Sequence, residues 1–188
     1  MNRVPGLCVL ILLFLAGCGS APVATESTGP SMKFDFNAQT DFRLYKSYRW
    51  FDGPFLPGDP ATRDESQYKT VRDAVNVVMK ENGYDWLQFS PTDLVLNIHS
   101  GFDVPENLDA WITYNWYKPW WGAFGPFVDV SHYEKGTLVV DVIDAKRTEL
   151  LWRGMLPAFY SPSGGLTDVE GFAVRLASLL ENLPTPVR

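Results

Sequence analysis

The sequence predicts an α+β domain, an antiparallel sheet with two amphipathic helices packed on one face. Three observations lead there. Short β-prone runs recur through the chain, several close enough to be joined by hairpins. Two longer segments, one central and one near the end, carry apolar residues at helical spacing. Each of these offers a single apolar stripe, and two such stripes are most economically buried against one face of a sheet whose strands turn back on themselves.

Lys33 to Phe36 alternates polar and apolar residues and Leu44 to Phe51 is aromatic and β-prone, so the polar Asn37 to Asp41 between them predicts a hairpin or bulged pair. Thr62 to Asn82 places Tyr68, Val71, Val75, Val78 and Met79 on one helical face, with Thr62 and Glu65 as a capping box and Asn82-Gly83 as the stop. Leu94, Leu96 and Ile98 alternate with Val95, Asn97 and His99, and Trp111 to Tyr117 is again aromatic-rich, which predicts two strands flanking the loop at Gly101 to Asp109. Thr137 to Asp144 and Glu149 to Leu156 form an antiparallel hairpin around Ala145 to Thr148. Thr167 and Glu170 make a second capping box ahead of a stripe of Val169, Phe172, Ala173, Leu176, Leu179, Leu180 and Leu183, which Pro184 ends.

At 188 residues the chain suits one domain, and 46% hydrophobic with 20% charged residues is ordinary globular usage. Its 16 Lys and Arg against 22 Asp and Glu give a net charge of −6, which argues against nucleic acid as a partner.

The N-terminus carries an address. Arg3 precedes an apolar run from Leu7 to Ala16 that is too short to span a bilayer as a helix, and Leu15-Ala16-Gly17-Cys18 follows. That tetrapeptide resembles the bacterial lipobox, in which the cysteine thiol takes a diacylglycerol, the leader is cut away before it, and the new amine is acylated in turn. Residues 1–17 are therefore read as a lipoprotein signal peptide, and 18–32 as a lipidated flexible tether. Residues 33–188 are read as one folded domain. The tether is rich in Gly, Ser, Pro, Thr and Ala and spans about 20 Å. Cys8 leaves with the leader and Cys18 carries lipid, so the mature domain holds no thiol for a disulfide, a metal or nucleophilic attack.

Little else in the sequence points to chemistry. His99 and His132 are the only histidines and share no close ligand spacing, so both are read as solvent-facing or structural and no metal or cofactor is expected. Ser161-Pro162-Ser163-Gly164-Gly165 lacks the nucleophile-elbow pattern. Asp141 and Asp144 lie three apart on a strand and so face opposite ways, a poor arrangement for a paired acid and base. Asp141 is expected to accept from Trp152 or to pair with Arg153, because a partly buried carboxylate needs a donor.

Trp111 to Phe127 holds eight aromatic residues in seventeen, far above the chain's 14%. Core packing accounts for such a segment, and so does a protein, membrane or ligand contact. Pro119 and Gly122 interrupt any regular strand there, which makes Trp116, Trp120 and Trp121 the candidate contact residues.

Two stretches resemble the DUF4136 family of bacterial lipoproteins. One runs from Phe34-Asp35-Phe36-Asn37 through Asp41-Phe42-Arg43-Leu44-Tyr45 to Trp50. The other is Gly136-Thr137-Leu138-Val139-Val140-Asp141-Val142-Ile143-Asp144-Ala145-Lys146 with Leu150-Leu151-Trp152-Arg153-Gly154. The resemblance implies an envelope lipoprotein with an α+β fold and carries across no catalytic residue. Here the middle is Trp-rich with prolines, where the family is often Gly/Tyr-rich. The expectation is a lipid-anchored, non-enzymatic envelope protein, at the periplasmic face of the outer membrane in a Gram-negative cell, that works as an interaction or structural component. The alternative is a periplasmic module that binds a hydrophobic or glycan ligand through the Trp-rich segment.

Overall fold

A computed structural model describes residues 31–52, 59–89, 91–101 and 134–186. The chain runs through β1 (Lys33–Phe36), a 3-10 turn (Phe42–Leu44), β2 (Ser47–Trp50), α1 (Pro60–Arg63) and α2 (Glu65–Glu81), then β3 (Asp85–Trp86), β4 (Leu94–Ser100), β5 (Leu138–Asp144), β6 (Glu149–Leu156) and α3 (Phe172–Leu180). The strands form one six-stranded sheet in the order β1-β6-β5-β4-β2-β3.

The hairpin of β5 and β6 forms as its alternation and turn residues predict, and β4 pairs antiparallel with β5 over its whole length. A bulge sets Val142 opposite Trp152 but Ile143 opposite Leu150, so Leu151 is the extra residue. Leu151 and Trp152, although consecutive, therefore both join the main core, while Leu150 packs with Val95 and Ile143 in a second, smaller cluster.

The expectation of a wholly antiparallel sheet is corrected here. β2 lies parallel to β4 and to β3. Parallel neighbours require a crossover, and α2 supplies it between β2 and the two strands that follow. The expected pairing of the first two strands is corrected as well. β1 lies antiparallel to β6, and Asn37 N–H extends that ladder to the Leu151 carbonyl at 2.9 Å. Asp41 then caps the 3-10 turn and sends the chain to the other side of the sheet.

Three α-helices occur among the described residues. The predicted central helix is broken near its start, because Asp59 caps α1 through the Ala61 N–H and Asp64 caps α2 through the Gln67 N–H. These aspartates do the capping assigned to Thr62 and Glu65. Gly83 ends α2 at φ 93°, a left-handed conformation that glycine adopts without strain. α3 begins later than the sequence suggests: the Thr167 hydroxyl donates to the Ala158 carbonyl at 2.6 Å and is not a cap, and Val169 is exposed. Tyr68, Val71, Val75, Val78 and Met79 of α2 share the main core with Leu176, Leu179 and Leu180 of α3 and with Leu94, Leu96, Ile98, Val140, Val142 and Trp152. Among the described residues no helix is long and apolar enough to cross a membrane.

Candidate functional site

Beside the parallel edge of the sheet lies an open groove of about 880 Å³, walled by β2, α2 and the segment that follows β3. Its floor follows from strand alternation. Tyr48 and Trp50 point to the same side of β2 and are buried, with ring centroids 6.4 Å apart and planes at 81°. On α2, Tyr68, Arg72 and Asn76 recur every four residues and so form one line along the helix. Asn76 Oδ1 accepts from Tyr48 Oη at 2.7 Å and from Trp50 Nε1 at 3.0 Å, locking both rings to the helix. One turn earlier the Arg72 guanidinium carbon lies 4.7 Å from the Trp50 ring centroid and 5.5 Å from that of Tyr68.

The other cations of the groove are differently engaged. Arg49 pairs with Asp52 at 3.2 Å and Lys69 with Asp73 at 2.6 Å, whereas Arg72 has no ion pair among the described residues and is held by the rings alone. Burial pushes the Tyr48 and Tyr68 hydroxyls above the ordinary phenol range, against the opposing pull of Arg72, so both stay neutral. At the rim Trp86 is 46% exposed and Phe89 is 90% exposed. A cation seated on aromatic faces, next to open rings, can engage a flat or apolar ligand face together with an anionic or carbonyl group.

The second concentration of polar groups lies across the central strands. Asn97, Asp141 and Arg153 stand opposite one another on β4, β5 and β6. Arg153 grips Asp141 in a fork, Nε to Oδ1 at 2.6 Å and Nη2 to Oδ2 at 2.7 Å, and His99 Nε2 lies 3.1 Å from Oδ2. All four side chains are buried. Burial alone would raise the Asp141 carboxyl pKa, but the charge and hydrogen bonds of Arg153, followed by the contact with His99, outweigh it and hold the group well below the usual carboxylate range. This is a buried ion cluster in which Arg153 and Asp141 are matched while Asn97 Oδ1 has no hydrogen-bond partner among the described residues, and it is costly to break and structural in character. Asp141 thus pairs with Arg153 and not with Trp152, and His99 is structural and buried, not solvent-facing. Asp144 faces away from Asp141 as expected. It accepts from Tyr45 Oη at 2.8 Å, from the Lys146 and Arg147 N–H groups and from Arg147 Nε, and so secures the hairpin turn. Among the described residues no group of His, Cys, Asp and Glu is placed to hold a metal ion.

Cys18, Trp116, Trp120, Trp121 and His132 lie outside the described residues. The groove was missed at the sequence level. Its one legible signal is the four-residue recurrence of Tyr68, Arg72 and Asn76, which places an aromatic, a cation and an amide along the border of the apolar face of α2.

A small mixed α/β domain with a lateral aromatic groove is the class of protein these features define. The chain belongs to the family described as Domain of unknown function (DUF4136), which matches residues 32–184. No curated protein matches it. Among solved structures, a DUF4136 family protein from Bacteroides thetaiotaomicron is 15% identical, with 79% of this chain and 91% of that one covered and a TM-score of 0.49. A PDZ domain protein from Parabacteroides distasonis is 13% identical at a TM-score of 0.49, covering 84% of this chain but only 36% of its own, so this chain spans about a third of that protein. The PelC dodecamer from Paraburkholderia phytofirmans is 10% identical, covering 80% and 91%, with a TM-score of 0.36. At such scores the likenesses carry no functional argument.

Proposed function

We propose that this protein is a lipid-anchored component of the bacterial cell envelope that works by contact, without catalysis of its own. In this reading α2 and α3 form one layer over a single face of the sheet, and the lipid on Cys18 holds the domain within about 20 Å of a membrane surface. In a Gram-negative cell that surface is the periplasmic face of the outer membrane. The anchor rests on Leu15-Ala16-Gly17-Cys18 behind a basic, apolar leader. Two acyl chains are called for, because one alone binds only weakly.

The contact reading is carried by the groove. Trp50 and Tyr68 are fixed by the core, by Asn76 and by Arg72 before any partner arrives, so little ordering entropy remains to be lost on binding. The exposed Trp86 and Phe89 favour a second reading, a module for a hydrophobic or glycan ligand, since open rings stack on sugar faces. Trp116, Trp120 and Trp121 remain proposed contacts in addition to the groove.

Two measurements test this. Fractionation of a Cys18→Ala chain should show loss of processing and of membrane association, and unchanged membrane retention removes the anchor. A photo-crosslinking residue at Phe89, in intact envelopes, should give a discrete adduct that Arg72→Ala weakens. Absence of any protein or glycan adduct from positions 89 and 120 overturns the contact reading.

A further inference from the structure

We propose that two copies of this chain pair through β1, antiparallel and centred on Phe34, joining their two sheets into one continuous sheet. The proposal is independent of the groove, which lies at the opposite end of the strand order.

Among the described residues β1 is an edge strand whose only partner is β6. The hydrogen bond from Asn37 N–H to Leu151 fixes which groups face outward. Since donors and acceptors alternate along a strand, Lys33 and Asp35 turn their backbone groups toward β6, and Phe34 and Phe36 turn theirs away from it. The Phe36 N–H confirms the phase: it reaches no strand and is met by Asp35 Oδ1 at 2.8 Å. The same edge leaves Met32, Phe34 and Phe36 exposed on one face. A free ladder with adjacent apolar side chains is a template for another strand.

The order of charges selects both the partner and the register. A two-fold axis at Phe34 sets Phe34 against its own copy, Lys33 against the copy's Asp35, and Met32 against the copy's Phe36. Every outward backbone group then meets an outward group, both charge pairs are attractive, and the apolar residues share a face. An axis at Asp35 or at Lys33 places like charges opposite each other. An axis between Phe34 and Asp35 sets outward groups against inward ones. Of the axes from Lys33 to Asp35, the one at Phe34 therefore survives, and an axis at Met32 or Phe36 would forgo the pairing of Lys33 with Asp35. In it the Phe36 N–H exchanges the carboxylate of Asp35 for the copy's Met32 carbonyl, which frees Asp35 for Lys33 across the axis.

Crosslinking in the full chain tests this register. Lys33→Cys and Asp35→Cys chains, carrying different tags, are co-produced and oxidised in intact envelopes, with the parent chain setting the background from Cys8 and Cys18. Positions 33 and 35 would form a non-hydrogen-bonded pair with Cα atoms about 4.5 Å apart, within disulfide reach. In a pair of Lys33→Cys chains the two thiol-bearing positions would be separated by two further residues along the strand, beyond the roughly 7 Å limit. The expected result is a mixed-tag adduct well above both same-tag adducts. As a second arm, Lys33→Asp should weaken association about tenfold by sedimentation, and Lys33→Asp with Asp35→Lys should restore it. Same-tag adducts equal to the mixed one, no adduct in chains as protease-resistant as the parent, or a double reversal no better than the single one each overturn the proposal.

Discussion

Gly154 is the position at which the core can be probed most sharply. It lies two residues after Trp152 on β6 and faces the same way, under an indole that is fully buried. A Cβ at Gly154 would fall well inside van der Waals contact of Trp152 Cη2, 2.8 Å from its Cζ3 and 2.9 Å from Leu179 Cδ2. Carbon atoms normally approach to about 3.5 Å, so Leu179 would have to yield by about 0.6 Å and the ring by about twice that in a close-packed interior. A clash that deep belongs to the upper part of the range of about 1 to 3 kcal/mol for overpacking, about 2 to 3 kcal/mol, offset by up to about 1 kcal/mol from the stiffer unfolded chain, so Gly154→Ala should lose about 1 to 3 kcal/mol. Trp152→Phe removes the obstructing ring atoms, together with an indole N–H that has no hydrogen-bond partner among the described residues. In that background the added methyl should fill space and stop colliding. The coupling between the two changes should reach about 1 kcal/mol or more, whereas unrelated sites add within about 0.5 kcal/mol. Urea melts of the Cys18→Ala chain, followed by far-ultraviolet circular dichroism, give the four stabilities of the cycle. Additivity, or a neutral Gly154→Ala, would refute the packing argument.

Asn76→Ala should cost about 2 kcal/mol, because it strands the Tyr48 hydroxyl and the Trp50 N–H together; a melting temperature equal to the parent's would show that the two donors find other acceptors. Asp59 is buried, and burial raises its carboxyl pKa against the hydroxyl of Ser100, the charge of His99 and two backbone N–H groups. Its stabilising contribution is thus complete below the unfolded value of about 3.9 and is lost as pH rises through the raised folded value. Asp59→Asn should accordingly flatten the fall of melting temperature with rising pH, and profiles that run parallel from pH 4 to 8 would contradict this. Asp141 has the opposite sign, its contribution being present above about pH 3.9 and lost as pH falls through the lowered folded value, so Asp141→Asn should remove part of the acid sensitivity seen in acid melts. Replacing Trp120 and Trp121 together by Ala should leave the melting temperature within a degree or two while reducing envelope crosslinks, since indoles that serve a contact matter more to binding than to folding; a large fall in melting temperature would assign them to the core.

The local elements were legible wherever the signal is local. The alternation in Leu94 to Ser100, the turn between Asp144 and Glu149 and the stripe from Tyr68 to Met79 each fix one element, and each forms where it was read. Pairing is less local. Lys33 to Phe36 reads equally well as a partner for β2 or for β6, and the choice depends on contacts more than a hundred residues away along the chain. Caps were misassigned for a related reason, because aspartates at 59 and 64 compete with Thr62 and Glu65, and no spacing rule ranks them. Asp59 also takes the hydroxyl of Ser100 at 2.6 Å, a tertiary demand that local sequence does not reveal.

The mixed topology and the groove have one cause. The parallel pairing of β2 and β4 calls for a crossover, and α2, as that crossover, lies over the strands it joins. α2 is seventeen residues long, whereas β2 has four residues and β3 only two, so the helix is far longer than the edge strands beside it. The sheet at that end is too small to cover the line of Tyr68, Arg72 and Asn76. What remains is covered by Trp50, reached through Asn76 and Arg72, and by the short segment of Trp86 to Phe89, and a gap of about 880 Å³ stays open between them. A longer β3 would close the gap with a continued ladder and would need no exposed phenylalanine at 89. The shortness of that edge strand is therefore what leaves an open aromatic groove where a closed packing arrangement would otherwise stand.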